Sequence, residues 1–257
     1  MKVLDITPAP LLQPFISGYK IVETDAARTN KILPNTSVTM AFRIRGKNLN
    51  VRNGESHTLP GIAVSGLQKS PRLIGYEDNT AALIILFKAA GAAAFFKEPL
   101  HTLFTQSVSL DELIPPSEAR TIGDQLSEAE KDEERIAIVE QFLIGMMHKP
   151  ETDPLVSAAL QQITRQNGFV RIRDLRDQLC ISKDAFEKRF RKVVGASPKH
   201  FASIVRMSAI ISQNRGRDEL LNAAFEAGFF DESHFIKAFR QFTGQSPADF
   251  ARSGPAW

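Results

Sequence analysis

Four basic side chains, Lys188, Arg191, Lys237 and Arg240, stand at matched positions in two stretches that repeat each other. SKDAFEKRFRKVVGASPKHF at 182–201 and DESHFIKAFRQFTGQSPADF at 231–250 align at an offset of 49. The pairs include Ser182/Asp231, Phe186/Phe235, Lys188/Lys237, Phe190/Phe239, Arg191/Arg240, Gly195/Gly244, Ser197/Ser246, Pro198/Pro247 and Phe201/Phe250. Cations repeated in this way suit recognition of a polyanion. In a DNA major groove lysine donates to guanine and carboxylates accept from cytosine, while arginines on the flanks hold phosphates.

Such chemistry needs a helix held by its opposite face. The phenylalanines at i and i+4 of each copy form an apolar helix face, which belongs in a core. Ser182 and Asp231 are suited to cap the helix start, and Gly195 and Gly244 to end it in the left-handed conformation. Ser-Pro then opens a following helix with proline at its first position. A shorter amphipathic helix is expected before each copy, over 172–179 and 220–227, so the unit is a helix-turn-helix present twice. With the phenylalanines inward, Asp184, Glu187, Lys188 and Arg191 face outward in copy one, and Ser233, Ile236, Lys237 and Arg240 in copy two. Expected to face bases are Lys183, Asp184, Glu187 and Lys188 in the first copy. In the second they are Glu232, Ser233, His234, Ile236 and Lys237. Arg191 and Arg240, with Arg171 and Arg173 from the cluster that includes Arg176, are expected on phosphates. A helix over 198–212 joins the two units and could set them about one DNA turn apart, roughly 34 Å. The bland alternative is a pair of helical hairpins with solvated charged faces.

The charge distribution agrees with the first reading. Residues 1–154 carry 16 Lys+Arg against 19 Asp+Glu, whereas residues 155–257 carry 16 against 10. Only the C-terminal part is therefore basic enough to seek a polyanion. The single cysteine, Cys180, can form neither an internal disulfide nor a cysteine metal cage, which fits a reducing cytoplasm. The five histidines show no short ligand spacing, so neither metal nor cofactor is expected. No window reaches the ~18 uncharged apolar residues of a membrane span, and MKVLDITPAP lacks the pattern of a secretion signal.

The first half reads as strands. SVTMAFRIR at 37–45 places Val38, Met40, Phe42 and Ile44 on one parity. Further strands are expected at 49–51, 61–66 and 81–88, with Asn53-Gly54 as a hairpin turn. After Pro115-Pro116 a helical stretch is expected to run from 117 to 148. It carries Ile136, Val139, Phe142, Leu143, Met146 and Met147 on one face, either a dimer seam or a surface packed on its own domain. Lys149-Pro150 and Asp153-Pro154 mark the domain boundary. The expected fold is thus two domains. Residues 1–152 form an α+β domain, a cupin-like β-barrel or sandwich plus helices, for sensing or dimerisation. Residues 153–257 form an all-α domain with two helix-turn-helix motifs joined by a linker helix.

AAFEAGFFDESHFIKAFRQFTGQSPADFAR at 223–252 resembles the signature of the AraC/XylS family of bacterial transcription regulators. ISKDAFEKRFRKVVGASPKHF at 181–201 looks like that family's first, more variable motif, and the resemblance covers roughly 155–253. It implies promoter DNA as partner, activation through contact with RNA polymerase, and an N-terminal domain that binds a small-molecule effector or forms a homodimer. LQPFISGYKIVE, KILPNTSVTMAFRIRG and GLQKSP in the first half are similar to the β-rich domains of some such regulators. Three residues depart from the pattern: Arg176 where a small residue is usual, Cys180 where the turn commonly has glycine, and Lys237 in place of arginine. Two other functions remain open at this point. One is an architectural DNA-binding protein indifferent to sequence. The other is a DNA-repair alkyl-transfer enzyme, which would have to act through Cys180.

Overall fold

The computed structural model describes residues 1–52, 54–148, 153–213 and 216–253. Among the described residues, ten strands form two antiparallel sheets. The larger has the order β1 (Lys2–Ile6), β2 (Ile16–Thr24), β9 (Thr80–Phe87), β4 (Thr39–Arg45), β7 (Ile62–Ser65) and β10 (Ser107–Ser109). The smaller has the order β3 (Arg28–Ile32), β8 (Arg72–Tyr76), β5 (Asn48–Arg52) and β6 (Glu55–Thr58).

Register follows from burial. Met40 lies opposite Ile85 and Phe42 opposite Leu83, while Tyr19 flanks Ile85 from the other side. All five are within 1% of full burial, and a slip of one residue would turn every one of them to the opposite face. That opposite face carries Val22 and Ile84, which meet Ile74, Tyr76 and Leu59 of the smaller sheet. The period-two strand expected at 37–45 is present, as are those at 49–51, 61–66 and 81–88 within a residue or two of their ends. Arg52 pairs with Glu55 across a two-residue connection. Gly54 there has φ +84°, as the hairpin dipeptide requires, though Asn53 lies outside the described residues.

The single helical stretch expected over 117–148 is instead two helices, α1 (Pro116–Glu128) and α2 (Asp132–Met146). Ala129 and Lys131 between them are extended. Arg135 fastens the corner by donating to the Ala129 carbonyl and to Asp132 at 2.9 Å. Val139 and Leu143 are fully buried, and Ile136, Phe142, Met146 and Met147 pack half-buried against the same core. The apolar stripe is turned inward onto its own domain. The boundary residues 149–152 lie outside the described residues, and Asp153 caps the next helix by accepting from the Leu155 and Val156 amides.

The described residues beyond that boundary form the helices α3 (Pro154–Arg165), α4 (Ile172–Gln178), α5 (Lys183–Val194), α6 (Pro198–Gln213), α7 (Arg217–Glu226), α8 (Glu232–Thr243) and α9 (Pro247–Ser253). The apolar core continues from the sheet into them without a break. A 3-10 turn at Leu100–Leu103 packs on α5, and the Leu100 carbonyl comes within 3.1 Å of where a Cβ on Gly195 would stand.

His200 ties the two regions together. Its Nε2 lies 3.0 Å from the Gln68 carbonyl, which can only accept, and its ring meets Phe104 edge-on with centroids 5.2 Å apart. Burial holds the imidazole below its ordinary pKa and Lys69 adds to this, against the opposing pull of the Gln68 carbonyl. The unfolded chain therefore takes up the proton first. The contribution of the neutral ring to stability is intact above about pH 6.5 and is lost as pH falls through the folded value. Denaturant midpoints at pH 7.5 and 5.5 should separate further for the wild type than for His200→Gln. Equal separations would show that His200 is not the group responsible.

Candidate nucleic-acid interface

The two repeats fold as two copies of one device. In copy one the Ala185 amide donates to Ser182 Oγ at 3.4 Å, and Gly195 ends α5 at φ +88°. In copy two the His234 amide donates to Asp231 Oδ1 at 2.7 Å, and Gly244 ends α8 at φ +76°. Phe186, Phe190 and Val194 are the buried face of α5; Phe235, Phe239, Phe242 and Thr243 are that of α8. The aromatic packing repeats as well. Phe190 meets Phe186 and Phe201 at centroid distances of 5.7 and 5.8 Å, and Phe239 meets Phe235 and Phe250 at 5.4 and 5.3 Å. Each helix is thus locked about its own axis, which fixes the direction of its polar face.

On α5 that face exposes Lys183, Asp184, Lys188 and Arg191, with Glu187 half-buried. On α8 it exposes Glu232, Ser233, His234, Lys237 and Arg240, with Ile236 half-buried. Lys188, Arg191, Lys237 and Arg240 form no ion pair among the described residues. Four cations on two locked helices thus keep their charge available to a partner.

A family model described as a helix-turn-helix domain matches residues 175–253, the span of both copies. The chain carries a helix-turn-helix domain. A second model, a domain of unknown function, matches residues 4–109 of the β-rich part. An uncharacterised HTH-type transcriptional regulator of Haemophilus influenzae is 28% identical over 117 residues, 45% of this chain and 38% of that protein. The Msm operon regulatory protein of Streptococcus mutans is 27% identical over 123 residues, 45% of this chain and 43% of that protein. The chain thus spans less than half the length of either relative. Among solved structures, apo ToxT from Vibrio cholerae aligns over 91% of this chain and 96% of its own at 11% identity and a TM-score of 0.46. ToxT with a bound unsaturated fatty acid aligns over 91% and 94% at 12% identity and a TM-score of 0.42. At TM-scores below 0.5 the likeness in shape is too loose to place a ligand or a partner.

Within this domain the remaining candidate residues are placed less evenly. Arg171 is exposed at the start of α4, whereas Arg173 Nε lies 3.9 Å from Asp177 and Arg176 donates to the same carboxylate at 2.6 and 3.1 Å. Glu232 accepts from Arg217 at 3.0 Å, so it is tied to the first turn of α7. His234 stacks obliquely on Phe229, centroids 5.3 Å apart. Cys180 is exposed in the turn before α5 with φ +50°, the conformation for which glycine is the usual choice. Two features have no counterpart in the repeat. Asp184, Glu187, Lys188 and Arg191 share a cleft of about 430 Å³ with His101 of the β-rich part, so that region borders the polar stripe of copy one. And Phe230, beside the cap of α8, is almost wholly solvated. Residue spacing carries no signal for the first, since it depends on how the two regions dock. Among the described residues, no group of acidic, histidine or cysteine side chains could hold a metal ion, and no helix is long and apolar enough to cross a membrane.

Proposed function

We propose that this chain is a sequence-specific DNA-binding transcriptional regulator that reads promoter DNA with α5 and α8 in successive major grooves. The observation that carries the reading is the pair of locked helices whose Lys188, Arg191, Lys237 and Arg240 are exposed and form no ion pair among the described residues. Lys183, Asp184, Glu187 and Lys188 of α5 and Glu232, Ser233, His234, Ile236 and Lys237 of α8 are the residues assigned to base edges. Arg171, Arg173, Arg191 and Arg240 are assigned to phosphates. The boundary between the DNA-binding domain and the sensing or dimerisation domain is placed at 152/153. The regulatory names of the two relatives support control of transcription. Activation through RNA polymerase is the form the family resemblance favours. A cleft of about 820 Å³ between the two regions is apolar at Leu160, Phe201 and Val205 and cationic at Lys88 and Arg165. It suits a small amphipathic anion as effector.

The test is selection of fragmented genomic DNA by the purified protein at about 0.15 M ionic strength, followed by sequencing of the bound fragments. A shared asymmetric motif spanning about two major-groove turns is expected. Random fragments, with binding that collapses steeply as salt rises, would replace this reading with the architectural one.

A further inference from the structure

The two turns differ by one residue, and the extra residue is Phe230. The backbone bonds define the alignment. In copy one the Ile181 amide donates to the Arg176 carbonyl at 3.3 Å, closing the end of α4 around Cys180 in the left-handed region. In copy two the Phe229 amide donates to the Ala224 carbonyl at 3.0 Å, closing the end of α7 around Gly228, also left-handed at φ +71°. Cys180 therefore corresponds to Gly228 and Ile181 to Phe229. The caps, however, are Ser182 and Asp231. Ile181 is followed at once by its cap, whereas one residue separates Phe229 from its own.

That residue takes no part in the packing of the motif. An apolar residue just before a cap ordinarily folds back on the first turn of its helix. Here Phe229 fills that place, 5% exposed with its ring 5.3 Å from Phe235. It is also covered by the Arg206 guanidinium at 4.4 Å. Phe230 is left 93% exposed, the most exposed large apolar side chain described. Beside it the first turn of α8 exposes Glu232, Ser233 and His234, and in a helix-turn-helix the N-terminal residues of the second helix lie nearest the base edges.

We infer that Phe230 is a specificity-determining DNA contact of the second motif, its ring packing on the C5-methyl group of a thymine in the major groove. This rests on the DNA-reading function proposed above. Thymine offers the apolar feature of a major-groove edge, and its contact with an apolar side chain distinguishes it from cytosine without a hydrogen bond. An exposed phenylalanine costs nothing in water-facing hydrogen bonds to bring there, and both apolar surfaces leave water together.

The experiment uses the duplex selected by the full-length protein, with each thymine replaced singly by deoxyuridine, which removes one methyl and leaves base pairing intact. At one thymine in the half read by α8, the wild type should bind the deoxyuridine duplex about three- to ten-fold more weakly. Phe230→Ala should bind the thymine and deoxyuridine duplexes equally, and Phe230→Leu should keep part of the difference. Thermal unfolding of the variants should match the wild type, since the side chain is solvated. Three results would overturn the inference. In the first, Phe230→Ala weakens every duplex alike, which places the ring on deoxyribose. In the second, Phe230→Ala binds as the wild type does while a selected motif is present, which removes Phe230 from the interface and leaves the regulator reading standing. In the third, the wild type selects no motif at all, and the regulator reading falls with it.

Discussion

Phe239→Ala will lower the free energy of unfolding of the DNA-binding region by about 3–5 kcal/mol. Phe239 is fully buried and stands at the centre of an aromatic row, with Phe235 on one side and Phe250 on the other, both in edge-to-face geometry. Truncation removes a large apolar side chain from a place where the neighbours cannot close in, because each is already held by another element. Phe235 is fixed by Phe229 from the turn, and Phe250 belongs to α9. The cost is thus the transfer of the ring plus the cavity it leaves, with the loss of two favourable ring contacts of about 0.5–1.5 kcal/mol each contained within it. Chemical denaturation followed by far-ultraviolet circular dichroism measures this. Phe225→Ala is the control, since Phe225 is 52% exposed on the neighbouring helix. A surface change of that kind stays within about 0.5 kcal/mol. Equal midpoints for the two variants would mean that the aromatic row does not hold α8. The DNA consequence follows from the same geometry: Phe239→Ala should lose its grip on one half-site before it loses its fold, as α8 gains freedom to rotate.

Lys237→Ala is expected to weaken binding to the selected site by about 1–3 kcal/mol, roughly 5- to 150-fold, and to relax preference at one base position. Lys237 follows Phe235 by two positions and precedes Phe239 by two, so with those rings inward its stem leaves the helix on the far side, where it is exposed. Arg240→Ala should behave differently. It should weaken all sequences nearly alike and lower the slope of log affinity against log salt by about one unit, the signature of a single phosphate contact. If Lys237→Ala shows the Arg240→Ala signature, lysine is gripping phosphate and the base assignment is wrong. Lys188→Ala should mirror Lys237→Ala in the other half of the site. The cleft that Lys188 shares with His101 places the β-rich region along the polar stripe of that half. Binding by the first motif is therefore open to influence from the rest of the chain.

What the sequence determined is local. The caps Ser182 and Asp231, the left-handed Gly195 and Gly244, and the prolines at the starts of α6 and α9 act within a few residues of themselves, and all lie where spacing put them. The repeat at an offset of 49 had only to preserve those short-range rules to announce two copies of one motif. The strand at Thr39–Arg45 was legible for the same reason, since one side of it is buried and the other is not. Strand β2 was not, because a bulge between Ile16 and Gly18 shifts its inward parity from Ile16 to Tyr19 and erases the alternation. Nor was β3, an exposed polar strand formed by pairing with β8 alone. The break between α1 and α2 has no glycine or proline to announce it; Arg135 makes it, by reaching a carbonyl six residues back.

The structure decided which cations stand outside an ion pair. Arg171, Arg173, Arg191 and Arg240 look alike along the chain, yet Arg173 lies 3.9 Å from Asp177 one turn along its own helix, while Arg191 and Arg240 form no ion pair among the described residues. It also decided that the two motifs are unequal, one flanked by His101 and the other ending its turn with a solvated Phe230. Both differences arise where the chain meets a distant part of itself or gains a residue that nothing packs against. Helix periodicity carries neither, because burial against a remote surface depends on how elements dock and not on the spacing of residues within any one of them.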